Sequence, residues 1–102
     1  MKPTKRRKLE KAGWKLGDAS AFLSLSDDEA AFVELKLALS DTLRSWRTRQ
    51  QLTQAELATR LGSSQSRVAK MEAGDRSVSL DLLVRSLLTL GAKRRDIAKA
   101  IG

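Results

Sequence analysis

The stretch that decides the fold is residues 54–74, Gln-Ala-Glu-Leu-Ala-Thr-Arg-Leu-Gly-Ser-Ser-Gln-Ser-Arg-Val-Ala-Lys-Met-Glu-Ala-Gly. It predicts two short helices that meet at a sharp turn. Ala58 is small, so the second helix can approach the first closely at this position. Gly62 can adopt the left-handed backbone conformation that a corner between two helices requires. We therefore expect the first helix to end at Gly62 and the second to end at Gly74.

The inner side of the second helix determines which side chains point outward. Val68 and Met71 lie three residues apart, and we expect them to pack against Leu57 and Leu61 of the first helix. At about 100° per residue, the opposite face carries only short or polar side chains, which are Gln65, Ser66, Ala69, Lys70 and Ala73. The alternative is an ordinary solvated face, but such faces usually carry more charged residues.

This outward face has the chemistry that reads base edges. A glutamine bonds adenine bidentately, a lysine favours guanine, and a serine bonds several bases. Ala69 and Ala73 leave room for the helix to approach a groove closely. The face therefore favours sequence-specific binding to duplex DNA.

Start and stop signals on both sides predict three further helices. Ser26 with Glu29, like Thr53 with Glu56, has the spacing of a capping box. One long helix is therefore expected from Ser26 to about residue 50, one from residue 79 to the glycine at 91, and a short basic helix over 93–101. The expected fold is an all-α, five-helix domain over residues 26–102.

The long helix carries two apolar stripes. The first, expected to face the core, consists of Phe32, Leu35, Leu39, Leu43 and Trp46. The second lies about a third of a turn away and consists of Ala30, Val33 and Leu37. It suggests a partner surface, although a thick core explains it equally simply.

Residues 1–25 are predicted to form a separate N-terminal arm. Its first fifteen positions are strongly basic and too poor in apolar residues to fold alone. Its Lys5-Arg6-Arg7-Lys8 run could contact phosphate or simply keep the arm solvated. Large apolar side chains then cluster between residues 14 and 25, and an exposed cluster of this kind is typical of a surface that a partner covers.

The amino-acid composition favours some classes of protein function and excludes others. The net charge of +8 and the pI of about 10.5 favour a polyanionic partner, nucleic acid before membrane. Cysteine and histidine are both absent, which excludes Cys/His zinc sites and Ser-His or Cys-His nucleophile pairs. We expect no enzyme activity, no cofactor, no metal and no membrane span, and we expect a cytoplasmic protein.

The same residues resemble a known family. Gln54, Ala58, Gly62, Val68 and Met71 match, in register, the helix-turn-helix of phage repressors and Cro proteins, the XRE family. The resemblance covers about residues 43–90. Further segments at 34–39, 52–54, 64–74 and 77–83 resemble HigA-like antitoxins of toxin–antitoxin operons. The implied fold is a phage-repressor-like helix-turn-helix domain.

The resemblance also implies roles for individual residues. It implies base reading by Gln65, Ser66 and Lys70, with Ser64 close by, and phosphate binding by Gln54 and Arg67. In repressors of this family, an arginine of the first helix often pairs with a glutamate at the end of the recognition helix, which is the second of the two short helices. The matching residues, Arg47 and Glu72, are expected to form a structural ion pair.

Family members often carry Asn where Ala73 stands, so one backbone contact is lost here. Arg49 and Arg76 are also predicted to bind phosphate, and Arg44 and Arg60 lie near enough to the two short helices to neutralise further phosphates.

The leading hypothesis is a homodimeric repressor of operator DNA that also neutralises a small basic toxin. Trp14, Phe22 and Leu25 of the arm are the expected toxin contacts, unless the arm folds back and Trp14 completes the core. The alternatives are a stand-alone phage-type regulator and a protein-binding helical adaptor. The expected dimer surface contains Leu88, Leu90, Ile97 and Ile101, and the second stripe of the long helix is the alternative surface.

Overall fold

The computed structural model describes residues 26–102, which form five α-helices and no strand. The helices are α1 (Asp27–Arg49), α2 (Gln54–Leu61), α3 (Gln65–Ala73), α4 (Leu80–Thr89) and α5 (Arg94–Ile101). The prediction of an all-α, five-helix domain is confirmed for this part of the chain. The arm of residues 1–25, with the expected toxin contacts Trp14, Phe22 and Leu25, lies outside the described residues.

Hydroxyl side chains begin the first four helices. Ser26, Ser64 and Ser79 each accept a hydrogen bond from the backbone N–H three residues ahead, at 3.1–3.3 Å. Thr53 does the same for Glu56, and the Glu56 carboxylate accepts the Thr53 N–H in return. Because each cap satisfies a donor that the helix leaves open, it stabilises its helix by about 1 kcal/mol.

Two glycines end the helices of the central pair. Gly62 (φ +63°) closes α2 and Gly74 (φ +70°) closes α3, both in the left-handed region. A Cβ atom at Gly74 would lie only 2.6 Å from Cδ2 of Leu37 on α1, whereas nothing would lie within 4 Å of one at Gly62. The end of α3 is therefore pressed against α1.

The core joins α1 to the central pair and to α4. Val68 and Met71 of α3 have no exposed surface and pack with Leu57 and Ala58 of α2, as expected from the sequence. The other helices contribute Leu39, Leu43, Leu83, Leu87 and Leu90 to the same cluster. Since α3 is held through its inner side, its outer side stays available for a ligand.

The two stripes of α1 are not divided between core and partner. Val33 and Leu37 of the second stripe are buried, at 8 % and 7 % exposure, so the expectation of a partner surface there is wrong and the thick core is correct. Phe32 of the first stripe is instead 51 % exposed. Phe32 precedes buried Val33 by one residue, so it points about 100° away from Val33 around the helix and lies on a side of α1 that the core does not cover.

The expected dimer surface also needs one correction. Leu90 is 5 % exposed and belongs to the core, because it caps the end of α4 where the chain turns toward α5. Leu88 and Ile101 are 47 % and 43 % exposed. Leu90 therefore cannot contribute to an interface, whereas Leu88 and Ile101 remain accessible.

Candidate nucleic-acid interface

The outer face of α3 is a polar, accessible helix surface beside the turn between α2 and α3. Gln65, Ser66, Arg67 and Lys70 are all exposed. They lie on a nine-residue helix whose inner side chains, Val68 and Met71, are completely buried. The face is therefore presented on a rigid element, which is what reading of base edges requires.

A groove runs beside this face. It is lined by Ser64, Ser66, Arg67 and Lys70 of the α3 region, together with Ser77 and Val78 of the loop after α3. Three of the four residues predicted to read bases thus share one concave surface with Arg67. The fourth, Gln65, is exposed in the first turn of α3.

Ser77 is a groove residue that sequence reasoning missed. The Asp75 carboxylate accepts hydrogen bonds from the Ser77 backbone N–H at 2.9 Å and from the Ser77 hydroxyl at 2.6 Å. These two bonds lower the pKa of Asp75, and Lys70 and Lys36 lower it further. The Asp-x-Ser spacing is typical of a side-chain-closed turn and was the signal available in the sequence.

Ser64, which is predicted to contact bases, also caps the start of α3. Its hydroxyl oxygen accepts the Arg67 backbone N–H at 3.2 Å and so caps α3. The hydroxyl hydrogen remains the group that Ser64 can offer to a ligand. Any contact from Ser64 would therefore be a donated hydrogen bond, for which guanine O6 and N7, thymine O4 and phosphate oxygens are suitable acceptors.

The predicted pair of Arg47 and Glu72 lies beneath the interface. Arg47 Nε and Nη2 donate to the two carboxylate oxygens of Glu72, the second at 2.9 Å. Both side chains are nearly buried, at 12 % and 4 % exposure. Arg47 Nη1 also donates to the Leu52 carbonyl at 2.7 Å. This ion pair ties α1 to the last turn of α3 and to the start of α2.

Gln54, predicted to bind phosphate, belongs to the same hydrogen-bonded cluster. Its side-chain amide donates to Glu72 Oε1 at 3.3 Å. Because an amide nitrogen carries two hydrogens, one can stay on Glu72 while the other points to an anion at the start of α2. The contact with Glu72 orients Gln54 at that helix end.

Two further predicted phosphate contacts, Arg49 and Arg76, lie outside the groove lining. Arg49, in the last turn of α1, places its guanidinium 4.9 Å from the ring centroid of Trp46. Arg76 is exposed in the loop that follows α3. Neither belongs to the groove lining, so the structure does not bring them together there with Ser66, Arg67 and Lys70.

A buried lysine behind the loop was also missed by sequence reasoning. Lys36 is only 8 % exposed, although it lies in the middle of α1. Burial lowers the pKa of Lys36, while the Asp75 carboxylate counteracts that effect. Lys36 thus places a charge behind the turn that shapes one wall of the groove. A single lysine in an amphipathic helix gave no signal of this burial.

Within residues 26–102, no group of acidic residues is arranged to hold a metal ion, and no helix is long and apolar enough to span a membrane. The arrangement instead offers hydroxyl, amide and ammonium groups on a rigid helix. These groups bind by hydrogen bonds and charge, as in recognition of a groove in duplex DNA.

Comparison with known proteins identifies the fold family. A family model described as "Helix-turn-helix" matches residues 43–97, which is more than half of the chain. No curated protein and no solved structure matches the chain significantly. The matched range begins in α1 and includes α2, α3, α4 and the first half of α5. The chain therefore belongs to the XRE-type helix-turn-helix family, a family of DNA-binding regulators.

Proposed function

We propose that this protein is a sequence-specific repressor that binds operator DNA as a homodimer through α3, and that it acts in the cytoplasm as the antitoxin of a toxin–antitoxin pair. The observation that carries the DNA-binding part is the outer face of α3. Gln65, Ser66 and Lys70 are exposed on this face, and the helix is held in place by a fully buried inner side.

The chemistry of the side chains separates the proposed base contacts from the proposed phosphate contacts. Gln65, Ser66 and Lys70, with Ser64, read base edges by hydrogen bonds in the major groove. Arg67, Gln54, Arg49 and Arg76 hold phosphates and set the register of the protein on the duplex.

A test of this division starts with the operator, obtained by selecting bound sequences from a random DNA pool with the full chain. Gln65→Ala and Lys70→Ala should each weaken binding to the selected site by about 1–3 kcal/mol and relax preference at one base pair. Arg67→Ala is the matched control and should weaken selected and random duplexes alike. Equal losses on both duplexes for all three variants would contradict the assignment.

The antitoxin part is supported by the resemblance to HigA-like antitoxins and by the composition of the arm. DNA binding alone does not require a cluster of apolar side chains such as Trp14, Phe22 and Leu25 ahead of the domain. A buried indole often contributes much of the energy of an interface, so Trp14 is the expected anchor.

The partner to test is the product of the reading frame beside this one in its operon, expected to be a small basic protein. Trp14→Ala in the full chain should abolish neutralisation of that protein in a growth assay while operator affinity stays unchanged. Asp81→Ala, which removes an exposed carboxylate of α4, is the control. Removal of residues 1–24 should have the same effect as Trp14→Ala. Full neutralisation by the shortened chain would favour a stand-alone regulator.

A further inference from the structure

The turn that follows α3 holds Ser77 in one orientation. Oδ1 of the Asp75 carboxylate accepts the Ser77 backbone N–H at 2.9 Å and the Ser77 hydroxyl at 2.6 Å. The next residue, Val78, donates its backbone N–H to the Asp75 carbonyl at 3.0 Å, and its side chain is buried. Because backbone hydrogen bonds and a buried side chain fix this turn, Ser77 is positioned before any ligand binds.

The hydroxyl hydrogen of Ser77 is occupied by Asp75. The O–H···O distance of 2.6 Å is typical of a hydrogen bond to an ionised carboxylate, which is about twice as strong as a neutral one. The same bonds lower the pKa of Asp75, so this carboxyl is ionised at neutral pH. A hydroxyl has one hydrogen and two lone pairs. What Ser77 presents to the groove is therefore an acceptor, and no residue within 26–102 donates a hydrogen bond to it.

The neighbouring groove residues have the opposite character. Lys70 and Arg67 carry donors and no acceptor. The Ser64 oxygen already accepts the Arg67 backbone N–H at 3.2 Å, so Ser64 offers its hydroxyl hydrogen. Only the hydroxyl of Ser66 is free to take either part among the other polar groups of this lining. Ser77 thus places a fixed acceptor in a groove that otherwise mainly donates.

From this hydrogen-bond geometry we propose that Ser77 determines specificity, by accepting a hydrogen bond from the exocyclic amino group of an adenine or a cytosine in the major groove. In that groove adenine N6 and cytosine N4 are the donors that bases present, whereas guanine O6, guanine N7 and thymine O4 accept. The proposal rests on the proposed function and deepens it, because it adds one acceptor to a set of reading groups that are mostly donors.

A phosphate fits this position poorly. Its oxygens are acceptors, and Ser77 Oγ presents lone pairs, so no hydrogen would lie between the two atoms. Turning the hydroxyl hydrogen toward the phosphate would break the bond to Asp75 and leave a carboxylate beside a second anion. The partner of Ser77 is therefore a base and not the DNA backbone.

A cycle that changes one atom group on each side tests this contact. The DNA is the site that the full chain selects from a random pool. In turn, each adenine is replaced by purine and each cytosine by 2-pyrimidinone, which lack only the amino group. At one position the unmodified chain should lose about tenfold in affinity, whereas Ser77→Ala should bind the natural and the substituted site equally. Weaker base pairing in the substituted duplex affects both chains and cancels in the cycle.

Two further variants sharpen the test. Asp75→Asn should discriminate less than the unmodified chain at the same position, because a neutral amide holds the hydroxyl hydrogen less strongly and lets it turn outward. Thr89→Ala, which removes a hydroxyl that bonds within α4, is the control and should keep the full tenfold loss. Circular dichroism checks that each variant is folded.

Equal losses for the unmodified chain and Ser77→Ala at every position would overturn the proposal. A Ser77→Ala chain that binds selected and random duplexes more weakly alike, with a salt slope reduced by about one unit, would also overturn it, because that result marks a phosphate contact. In either case, a site whose preference still depends on Gln65 and Lys70 leaves the proposed function standing. A chain that selects no sequence at all would refute the proposed function itself.

Discussion

Individual residues connect the reading helix to the rest of the domain, and the pair of Arg47 and Glu72 is the clearest case. Both side chains are nearly out of contact with water, so neither can lose its partner without leaving a buried charge. The Glu72 carboxylate receives Gln54 as well as Arg47. The same two side chains therefore determine the position of α3 and the orientation of a predicted phosphate contact.

Removing one member of this pair should be much more damaging than replacing both. We expect Glu72→Ala to lower the free energy of unfolding by about 3–5 kcal/mol, because Arg47 is then buried without compensation. The double variant Arg47→Met/Glu72→Leu should recover most of that loss. Urea denaturation of the three chains measures the difference, and a double variant as unstable as Glu72→Ala would contradict this account.

The glycines that end α2 and α3 differ in their surroundings and make a matched experiment. Gly62→Ala should cost about 1–2 kcal/mol, which is the cost of the left-handed backbone alone, because no atom would lie within 4 Å of the new Cβ. Gly74→Ala should lower the free energy of unfolding by about 1 kcal/mol more than Gly62→Ala, because Leu37 must also shift. Thermal unfolding of both variants tests this order, and equal losses would mean that Leu37 moves without cost.

At the scale of elements, the structure couples α1 to the loop after α3. Lys36 is buried on α1, and its charge acts on Asp75, which closes the turn with Ser77. This turn places Ser77 in the groove that Lys70 also lines. The wall of the candidate interface is therefore supported by a charge on another helix.

The hydrogen bonds that Ser77 donates to Asp75 lower the pKa of this carboxyl and so predict a pH dependence of stability. The folded pKa of Asp75 lies below its ordinary value of 3.8, so its stabilising contribution is complete above that value and is lost as the pH falls through the lower folded pKa. Asp75→Asn should therefore be less stable than the unmodified chain at pH 7, by about 1 kcal/mol. Urea midpoints of both chains, measured from pH 7 to pH 2, should draw together only below about pH 4. A constant difference across that range would show that the charge of Asp75 is not the cause.

For the whole molecule, the charge of +8 matters most for the strength and the salt dependence of binding. If a dimer makes about 6–10 phosphate contacts, its affinity for duplex DNA should fall by about 10³–10⁵ between 50 and 200 mM salt. Replacing Arg67 by Ala should reduce the slope of that dependence by about one unit for each contact removed. Binding that is flat across this salt range would place the basic charge away from the interface.

The local features of this protein were readable from the sequence because each depends on neighbours a few residues away. The hydroxyl caps at Ser26, Thr53, Ser64 and Ser79 follow from residue type and position, and so does the corner at Gly62. The 3.6-residue period alone separated buried Val68 and Met71 from the exposed face of α3. The helix order and the candidate reading residues were therefore predictable.

The tertiary structure decided what depends on packing between distant segments. The sequence shows that α1 is apolar on more than one side, but only the positions of α3, α4 and α5 decide that Leu37 is covered by Gly74 while Phe32 stays exposed. In the same way, Lys36 is buried and Ser77 reaches the groove because of where a loop crosses another helix. Periodicity describes how one helix divides its own surface, whereas burial is a property of the helices that meet there.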